Sequence, residues 1–148
     1  MEDRYKIFTI LVSDIMRSIR KIKTEEVAEY NLKGIHVSCL YYLHKSNGLT
    51  FKKLCDICEE DKSIISRSID FLEKEGFLVC PSKDLKRYKL PILLTDKGNQ
   101  IAMNISDKID NILIFASVGL EESERQIMYK SLNLISSNLK KICDNYNC

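Results

Sequence analysis

The first half of the stretch DKSIISRSIDFLEKEG, at residues 61–76, contains four side chains that can donate hydrogen bonds. They are Lys62, Ser63, Ser66 and Arg67. Apolar residues recur at helical spacing through this stretch, which predicts an amphipathic helix with the four donors on its polar side. Short hydroxyls and long cations at the positive end of a helix can donate to phosphates and to base edges in a major groove. We expect Lys62 and Ser63 to contact phosphate, and Ser66 and Arg67 to contact phosphate or a base edge.

The ends of this helix are marked by Asp61 and Gly76. Asp61 is predicted to be the N-cap, its side chain accepting a hydrogen bond from the amide of Ser63 or Ile64, and Gly76 to be the C-terminal stop. An ordinary amphipathic helix with a solvated polar face would show the same pattern of apolar and polar residues. In that case Arg67 would form a surface ion pair that adds little to stability. The neighbouring segments decide between the two interpretations.

A helix-turn-helix is predicted from the segments before residue 61. Residues 35–46 form an apolar helix, and FKKLCDIC at 51–58 forms a shorter helix capped by Thr50. About three residues then lead into the donor-rich helix, the spacing of a helix-turn-helix. Lys52 and Lys53, on the polar side of the shorter helix, are added to the predicted DNA-binding residues.

A basic β-hairpin is predicted directly after Gly76. Two apolar runs, FLVC at 77–80 and LPILL at 90–94, flank a loop with four cations and one acid, a local charge of +3. Pro91 cannot donate to a strand ladder, which favours an outer strand. Lys86, Arg87 and Lys89 are expected to contact phosphates or the minor groove as a wing; a solvated loop kept basic for solubility is the alternative.

Long amphipathic helices are predicted at both ends of the chain, over residues 4–22, from a Thr95 cap to about residue 117, and over 121–141. The compact unit between them cannot easily cover every apolar stripe, but a second copy of the chain could. Dimerisation also suits a reader of palindromic DNA. The sequence therefore predicts a homodimer.

Composition favours one mostly α-helical domain of 148 residues, with few glycines and prolines, no tryptophan and a net charge of +2. No run is long and apolar enough for a membrane span or a signal peptide, so a cytoplasmic location is expected, with no membrane partner. In that compartment the six cysteines are expected to be thiols.

Three motifs together resemble the MarR (multiple antibiotic resistance regulator) family of transcription factors. They are the helix-turn-helix segment 54–78, the basic wing at 82–89, and the step Leu94-Thr95-Asp96-Lys97-Gly98 out of the wing. The resemblance implies one domain over 1–148, with a winged helix-turn-helix lobe at 35–94 and a helical dimerisation base from 1–30 and 95–148. It also implies a homodimeric repressor on a palindromic DNA operator, released by a small-molecule effector or an oxidant.

The turn before the donor-rich helix departs from the family pattern. Glu59 and Glu60 stand where the family usually has a glycine and an apolar residue. With Asp56 and Asp61 they place negative charge beside the predicted DNA face. This charge, and the nearly neutral chain, leave open the alternative of a winged-helix module that binds protein and has weak or no DNA binding.

The cysteines and histidines suggest weaker hypotheses. Cys55 and Cys58 form a C-x-x-C pair, but both, like Cys39, are predicted to pack in the core. The candidates for redox sensing are Cys80, Cys143 and Cys148, with Lys140 and Lys141 beside Cys143. His36, Cys39 and His44 on one helix could contribute to a metal site with a carboxylate from elsewhere, but two lone histidines are more often cap or boundary residues, so no metal is expected. No catalytic motif is present, so neither an enzyme nor a cofactor is expected.

Overall fold

The computed structural model describes residues 3–80 and 89–146. Within these residues, six α-helices and three short strands follow one another as α1 Arg4–Glu26, α2 Gly34–Ser46, β1 Leu49–Thr50, α3 Phe51–Cys58, α4 Lys62–Lys74, β2 Leu78–Val79, β3 Pro91–Leu94, α5 Asp96–Ala116 and α6 Glu122–Tyr146. A short 3₁₀ turn, Ala28–Tyr30, follows α1. The chain divides into two compact units, Met1–Asp110 and Asn111–Cys148. This is a mostly α winged helix-turn-helix, as predicted.

The helix-turn-helix is built by local capping. The Thr50 hydroxyl accepts from the Lys53 amide at 3.3 Å and starts α3. At the end of α4, Gly76 has a φ of +78°, and the amide of Phe77 donates to the Leu72 carbonyl at 2.9 Å. This backbone conformation favours glycine, so the predicted stop is confirmed.

The predicted role of the Asp61 side chain is wrong. Asp61 occupies the N-cap position with an extended backbone, but its side chain makes no capping hydrogen bond. Its carbonyl oxygen instead accepts from the amides of Ile64 and Ile65, at 3.0 and 3.1 Å. The helix therefore begins where predicted, while the exposed carboxylate faces solvent.

The wing strands form a sheet with the order β1-β3-β2. Leu78 pairs with Leu94 across β2 and β3, and Thr50 pairs with Pro91 across β1 and β3. The predicted hairpin is confirmed, but the outer position of Pro91 is wrong, because β3 is the central strand. Pro91 is tolerated there as the first residue of the strand, and β1 has only two residues, too few to leave a periodic signal.

One core joins α2, α3, α4, β3 and the first half of α5. Its fully buried side chains include Leu40, Leu54, Ile69, Ile92 and Ile105.

The exit from the wing is fixed by Thr95 and Gly98. The Thr95 hydroxyl donates to the Gly76 carbonyl at 2.6 Å and accepts from the Gly98 amide at 3.0 Å. A Cβ on Gly98 would lie 1.7 Å from the Phe77 carbonyl oxygen, so only glycine fits this close approach. Thr95 and Gly98 belong to the Leu94–Gly98 step that resembles the MarR family. Both residues are needed here because the start of α5 packs closely against the chain that follows α4.

The terminal helices leave their apolar stripes uncovered in the single chain. α1 and α6 have no buried residue. On α1, Leu11 and Ile15 are each 56% exposed, and on α6, Leu139 and Ile142 are each 49% exposed. Both helices run several residues beyond the predicted ends, because no glycine or proline interrupts the polar sequence there. None of the described helices is long and apolar enough to span a membrane.

Candidate nucleic-acid interface

Five of the predicted DNA-binding residues surround one open cavity of about 660 Å³. They are Lys52 from α3, Lys62, Ser63 and Ser66 from α4, and Lys89, which lies before β3; Phe51 completes the described lining. We call this set the basic cleft. The consecutive helices α3 and α4, together with the segment before β3, therefore bring three ammonium groups and two hydroxyls to one surface.

The first turn of α4 supplies the hydroxyls of the basic cleft. Lys62 and Ser63 are exposed, and Ser66 is half-buried one turn further along. Ile65 and Ile69, on the opposite side of α4, are fully buried in the core. The buried side fixes the rotation of the helix, so the donors face outward at its positive end, where an anion is stabilised.

Lys53 is exposed but does not line the basic cleft. It follows Lys52 on α3, so its side chain leaves the helix about 100° further round. Lys86 and Arg87, the other predicted wing cations, lie outside the described residues.

Arg67 lies apart from the basic cleft. Its Nε donates to the carbonyl of Ser63 at 3.2 Å. Its side chain lines a second cavity of about 780 Å³, which we call the helix cavity. The described lining of the helix cavity comes from α4, the start of α2 and the segment around the 3₁₀ turn, and includes Thr24, Leu32, Ile35, His36, Ile64 and Phe71.

His36 is one of the residues that line the helix cavity, and two contacts hold its ring. Its ring stacks on Phe71 with centroids 4.4 Å apart and planes 9° from parallel. Its Nδ1 accepts from the Lys33 amide at 3.1 Å, so His36 closes the start of α2. Burial, helped by the Lys33 charge, lowers the pKa of His36 below its ordinary value of 6.5.

The metal hypothesis finds no support in these contacts. Among residues 3–80 and 89–146, no group of three histidine, cysteine or acidic side chains is placed to hold a metal ion. His36 takes the capping role that was the alternative, and His44 lies in the last turn of α2.

Acidic side chains lie near the end of α3 and in the turn before α4, and two of them, Glu59 and Glu60, line a cavity separate from the basic cleft. Asp56, Glu59, Glu60 and Asp61 are all exposed. Glu59 ends α3 in the left-handed conformation, with a φ of +52°. The position therefore requires the conformation that glycine adopts most readily, which explains the glycine of the family pattern.

The cysteines differ widely in exposure. Cys39 and Cys55 are buried as predicted, but Cys58 is half-buried and reaches a cavity. Cys80 is half-buried, and its amide donates to the Glu73 carboxylate at 3.4 Å. Cys143 is exposed on α6, and Cys148 lies outside the described residues.

Sequence reasoning missed the helix cavity. The cavity lining comes from segments around residues 24–36 and 64–71, and no local pattern links them. The cavity depends on how helices pack, which a single sequence does not specify.

Comparisons with known proteins identify the fold. A MarR family transcriptional regulator from Listeria monocytogenes, solved in complex with a 26mer DNA, is 26% identical, with a TM-score of 0.76 over 94% of this chain and 90% of that chain. A SlyA-like transcription regulator from Listeria monocytogenes is 25% identical, with a TM-score of 0.75 and the same coverages, 94% and 90%. A MarR transcriptional regulator from Methanosarcina mazei Go1 is 20% identical, with a TM-score of 0.79 over 93% and 92%.

No protein-family model and no curated protein matches the chain. The structural matches nevertheless cover almost its whole length, including the helix-turn-helix, the wing strands and the terminal helices. The chain therefore has the winged-helix fold of the MarR family of transcriptional regulators, which confirms the resemblance that its motifs indicated.

Proposed function

We propose that this chain is a transcriptional repressor that binds a palindromic DNA operator as a homodimer and is released by a small ligand or stress signal. The observation that carries the proposal is the basic cleft, where Lys52, Lys62, Ser63, Ser66 and Lys89 converge. The relative solved with a 26mer DNA has the same fold, and this supports duplex DNA as the partner.

Each element of the basic cleft has a distinct proposed task. Lys62 and Ser63, at the start of α4, hold a phosphate beside the groove. Ser66, one turn further along, reaches a base edge. Lys52 and Lys89 contact phosphates on either side, and Lys53, Lys86 and Arg87 are proposed to make further phosphate contacts. Arg67 acts from the neighbouring side of α4, where its contact with Ser63 orients it.

The homodimer is supported by the exposed apolar side chains of α1 and α6. A run of such side chains along a helix is unusual for a monomer and typical of an interface. A second copy would bury them, and it would also give the two-fold symmetry that a palindromic operator requires.

The helix cavity supports the proposed effector site. Its volume of about 780 Å³ lies in the usual range for small-molecule pockets. It adjoins α4 through Ile64, Arg67 and Phe71. A ligand there would contact the DNA-reading helix directly, so binding could change the position of the donors.

The salt dependence of duplex binding tests the basic cleft. Each phosphate contact contributes a slope of about 0.9 to the plot of log affinity against log salt. We expect Lys62→Ala and Lys89→Ala each to weaken binding to all duplexes and to reduce this slope by about 1.

The matched control is Lys130→Ala, which removes the same charge from an exposed position on α6. It should leave the slope unchanged. Binding titrations by fluorescence anisotropy at four salt concentrations measure both quantities. Equal slopes in Lys62→Ala and Lys130→Ala would contradict the proposed phosphate contact.

The exposed acids Asp56, Glu59, Glu60 and Asp61 favour a second candidate, a winged-helix module that binds protein. They would repel phosphates and attract a basic partner surface. This candidate predicts weak or no duplex binding in the same titrations, with a salt slope that Lys62→Ala and Lys89→Ala leave unchanged.

A further inference from the structure

Helix α5 loses its packing against the core at about Ile109. Ile105 is fully buried in the core, and Ile109, one turn later, is half-buried against it. Further along the helix, Ile114 and Phe115 are 58% and 75% exposed. Apolar packing therefore holds the first part of α5 but not the part that leaves the core.

Two ion pairs lie at the point where α5 leaves the core. Lys108 Nζ is 2.7 Å from Glu29 Oε1, beside the end of α1, and Asp110 Oδ2 is 2.9 Å from Lys45 Nζ, in the last turn of α2. Lys108 and Asp110 are two residues apart, so their side chains leave α5 about 200° apart. The two pairs therefore hold α5 from opposite sides, and we call them the α5 clamp.

Several groups converge on the Lys108 ammonium. Besides its bond to Glu29, Nζ donates to the Glu26 carbonyl at 3.2 Å and lies 5.7 Å from the centroid of the Tyr30 ring. Glu26 is the last residue of α1, where the free carbonyls attract a cation. The hydrogen bond between the two side chains raises the pKa of Lys108 and lowers that of Glu29, so both groups stay charged at neutral pH.

The α5 clamp differs from ion pairs within a single helix. Arg17 pairs with Asp14, and Arg125 pairs with Glu122, in each case three residues away on the same helix. Such a pair supports only its own helix. The two pairs of the clamp join residues that are 65 and 79 positions apart, so they restrict the movement of α5 against its neighbours. Because one exposed ion pair adds little to stability, we expect the clamp to act on position.

We propose that Lys45 and Lys108 are positioning residues, which through the α5 clamp fix the angle at which α5 leaves the winged helix-turn-helix. The effect on DNA rests on the proposed function. Helix α5 continues without a break from Asp110 to Ala116, so its direction at the clamp is passed along the helix. In the proposed homodimer this direction sets the separation of the two copies of α4, and with it the preferred spacing of half-sites.

Hydrogen–deuterium exchange of the purified protein tests the α5 clamp without DNA. Lys108→Met removes the ammonium group and keeps an unbranched side chain. We expect amide exchange to become at least about threefold faster in peptides over residues 26–31 and 106–112, because local opening there costs less free energy. Asp110→Asn should have the same effect over residues 41–47 and 106–112.

Two control variants separate the clamp from a general loss of charge. Asp107→Asn removes the same charge as Asp110→Asn from an exposed position of α5 that is not part of the clamp. Lys108→Arg keeps a cation at the clamp. Both variants should exchange at wild-type rates. Wild-type rates in Lys108→Met, or equally fast exchange in Asp107→Asn and Asp110→Asn, would overturn the clamp.

The spacing of half-sites tests the positioning role. A half-site enriched from a random duplex library is built into duplexes with two copies, whose spacing is shortened or lengthened by one to three base pairs, and into a duplex with one copy. We expect the wild type to prefer one spacing by about tenfold, close to one helical turn. Lys108→Met and Asp110→Asn should lower this preference at least threefold and leave affinity for the single half-site within twofold of wild type.

Each outcome of these experiments decides a different step. If exchange becomes faster but the spacing preference stays at the wild-type value, the positioning role is overturned. The same holds if Lys108→Met lowers affinity for every duplex equally, since a purely structural defect would do so. If the wild type binds no duplex, the proposed function fails and the effect on spacing fails with it, while hydrogen–deuterium exchange still decides whether the clamp holds α5.

Discussion

At the scale of single residues, His36 joins two helices of the winged helix-turn-helix, α2 and α4. Its Nδ1 accepts from the Lys33 amide at 3.1 Å, and its ring lies against Phe71 of α4. Both contacts suit the neutral imidazole, since a protonated Nδ1 is a donor and cannot accept. The lowered pKa of His36, caused by burial and by Lys33, favours the same form.

The free energy of unfolding should therefore depend on pH through His36. Its pKa is below the ordinary 6.5 in the folded chain, so the unfolded chain binds the proton more readily. The contribution is fully present above pH 6.5 and is lost as the pH falls from 6.5 through the lower pKa of the folded state. Urea unfolding from pH 8 down to pH 5 measures it.

Two glutamine variants isolate this contribution. His36→Gln should show a flatter pH dependence between about pH 5 and 7, and a lower free energy of unfolding at neutral pH, since the stacking is lost. His44→Gln, in the last turn of α2, should keep the wild-type dependence. Parallel pH profiles for wild type and His36→Gln would rule out this role of His36.

The residues of the basic cleft were predictable because three of them, Lys62, Ser63 and Ser66, share one side of one helix. Arg67 belongs to the same polar side in the sequence, yet it lines the helix cavity. A 100° step round the helix decides which neighbour a side chain meets, and the neighbours come from distant segments.

At the scale of elements, local sequence signals predicted the helices correctly but did not predict the strand order of the sheet. Helix ends could be predicted at Thr50, Gly76 and Thr95 because each end depends on hydrogen bonds or backbone angles within a few residues. Strand β1 has only two residues, too few to show the alternation of apolar and polar residues that predicts a strand. Because β1 was not predicted, β3 was expected to be an outer strand. The pairing of β1 with β3 joins Thr50 to Pro91, 41 residues further along the chain, and no local pattern reports it.

The turn between α3 and α4 contains a strained residue. Glu59 has a φ of +52°, and a side chain in this conformation costs about 1 kcal/mol. Glu59→Gly should therefore raise the free energy of unfolding by up to about 1 kcal/mol. Removing the carboxylate should also strengthen duplex binding at low salt.

Glu60→Gly is the control for this turn. It removes the same charge from the next residue, which does not have a positive φ. It should strengthen duplex binding similarly but leave the free energy of unfolding unchanged or lower. Urea unfolding compares the two variants. If Glu59→Gly has a lower free energy of unfolding than Glu60→Gly, the backbone at Glu59 is not strained.

At the scale of the whole molecule, the terminal helices carry apolar stripes that the single chain leaves exposed. On α6, Leu132, Ile135, Leu139 and Ile142 are between 37% and 49% exposed in the single chain. We propose that a second copy covers them. A charge placed within such an interface is costly when it is buried without a partner.

Leu139→Glu should therefore shift the protein from dimer to monomer and weaken operator binding. Ser137→Glu adds the same charge at an exposed position of α6, on the side of the helix away from the stripe. It should leave the dimer intact. Sedimentation equilibrium gives the mass of each variant, and a dimeric Leu139→Glu protein would exclude this stripe from the interface.

The central claim, a dimeric reader of duplex DNA, is tested most directly by selection from a random duplex library at moderate salt with the reduced protein. We expect enrichment of a palindrome whose half-sites lie about one helical turn apart. Its two-fold symmetry would reflect two copies of α4 in successive major grooves. No enrichment, or enrichment of a single half-site alone, would contradict the account.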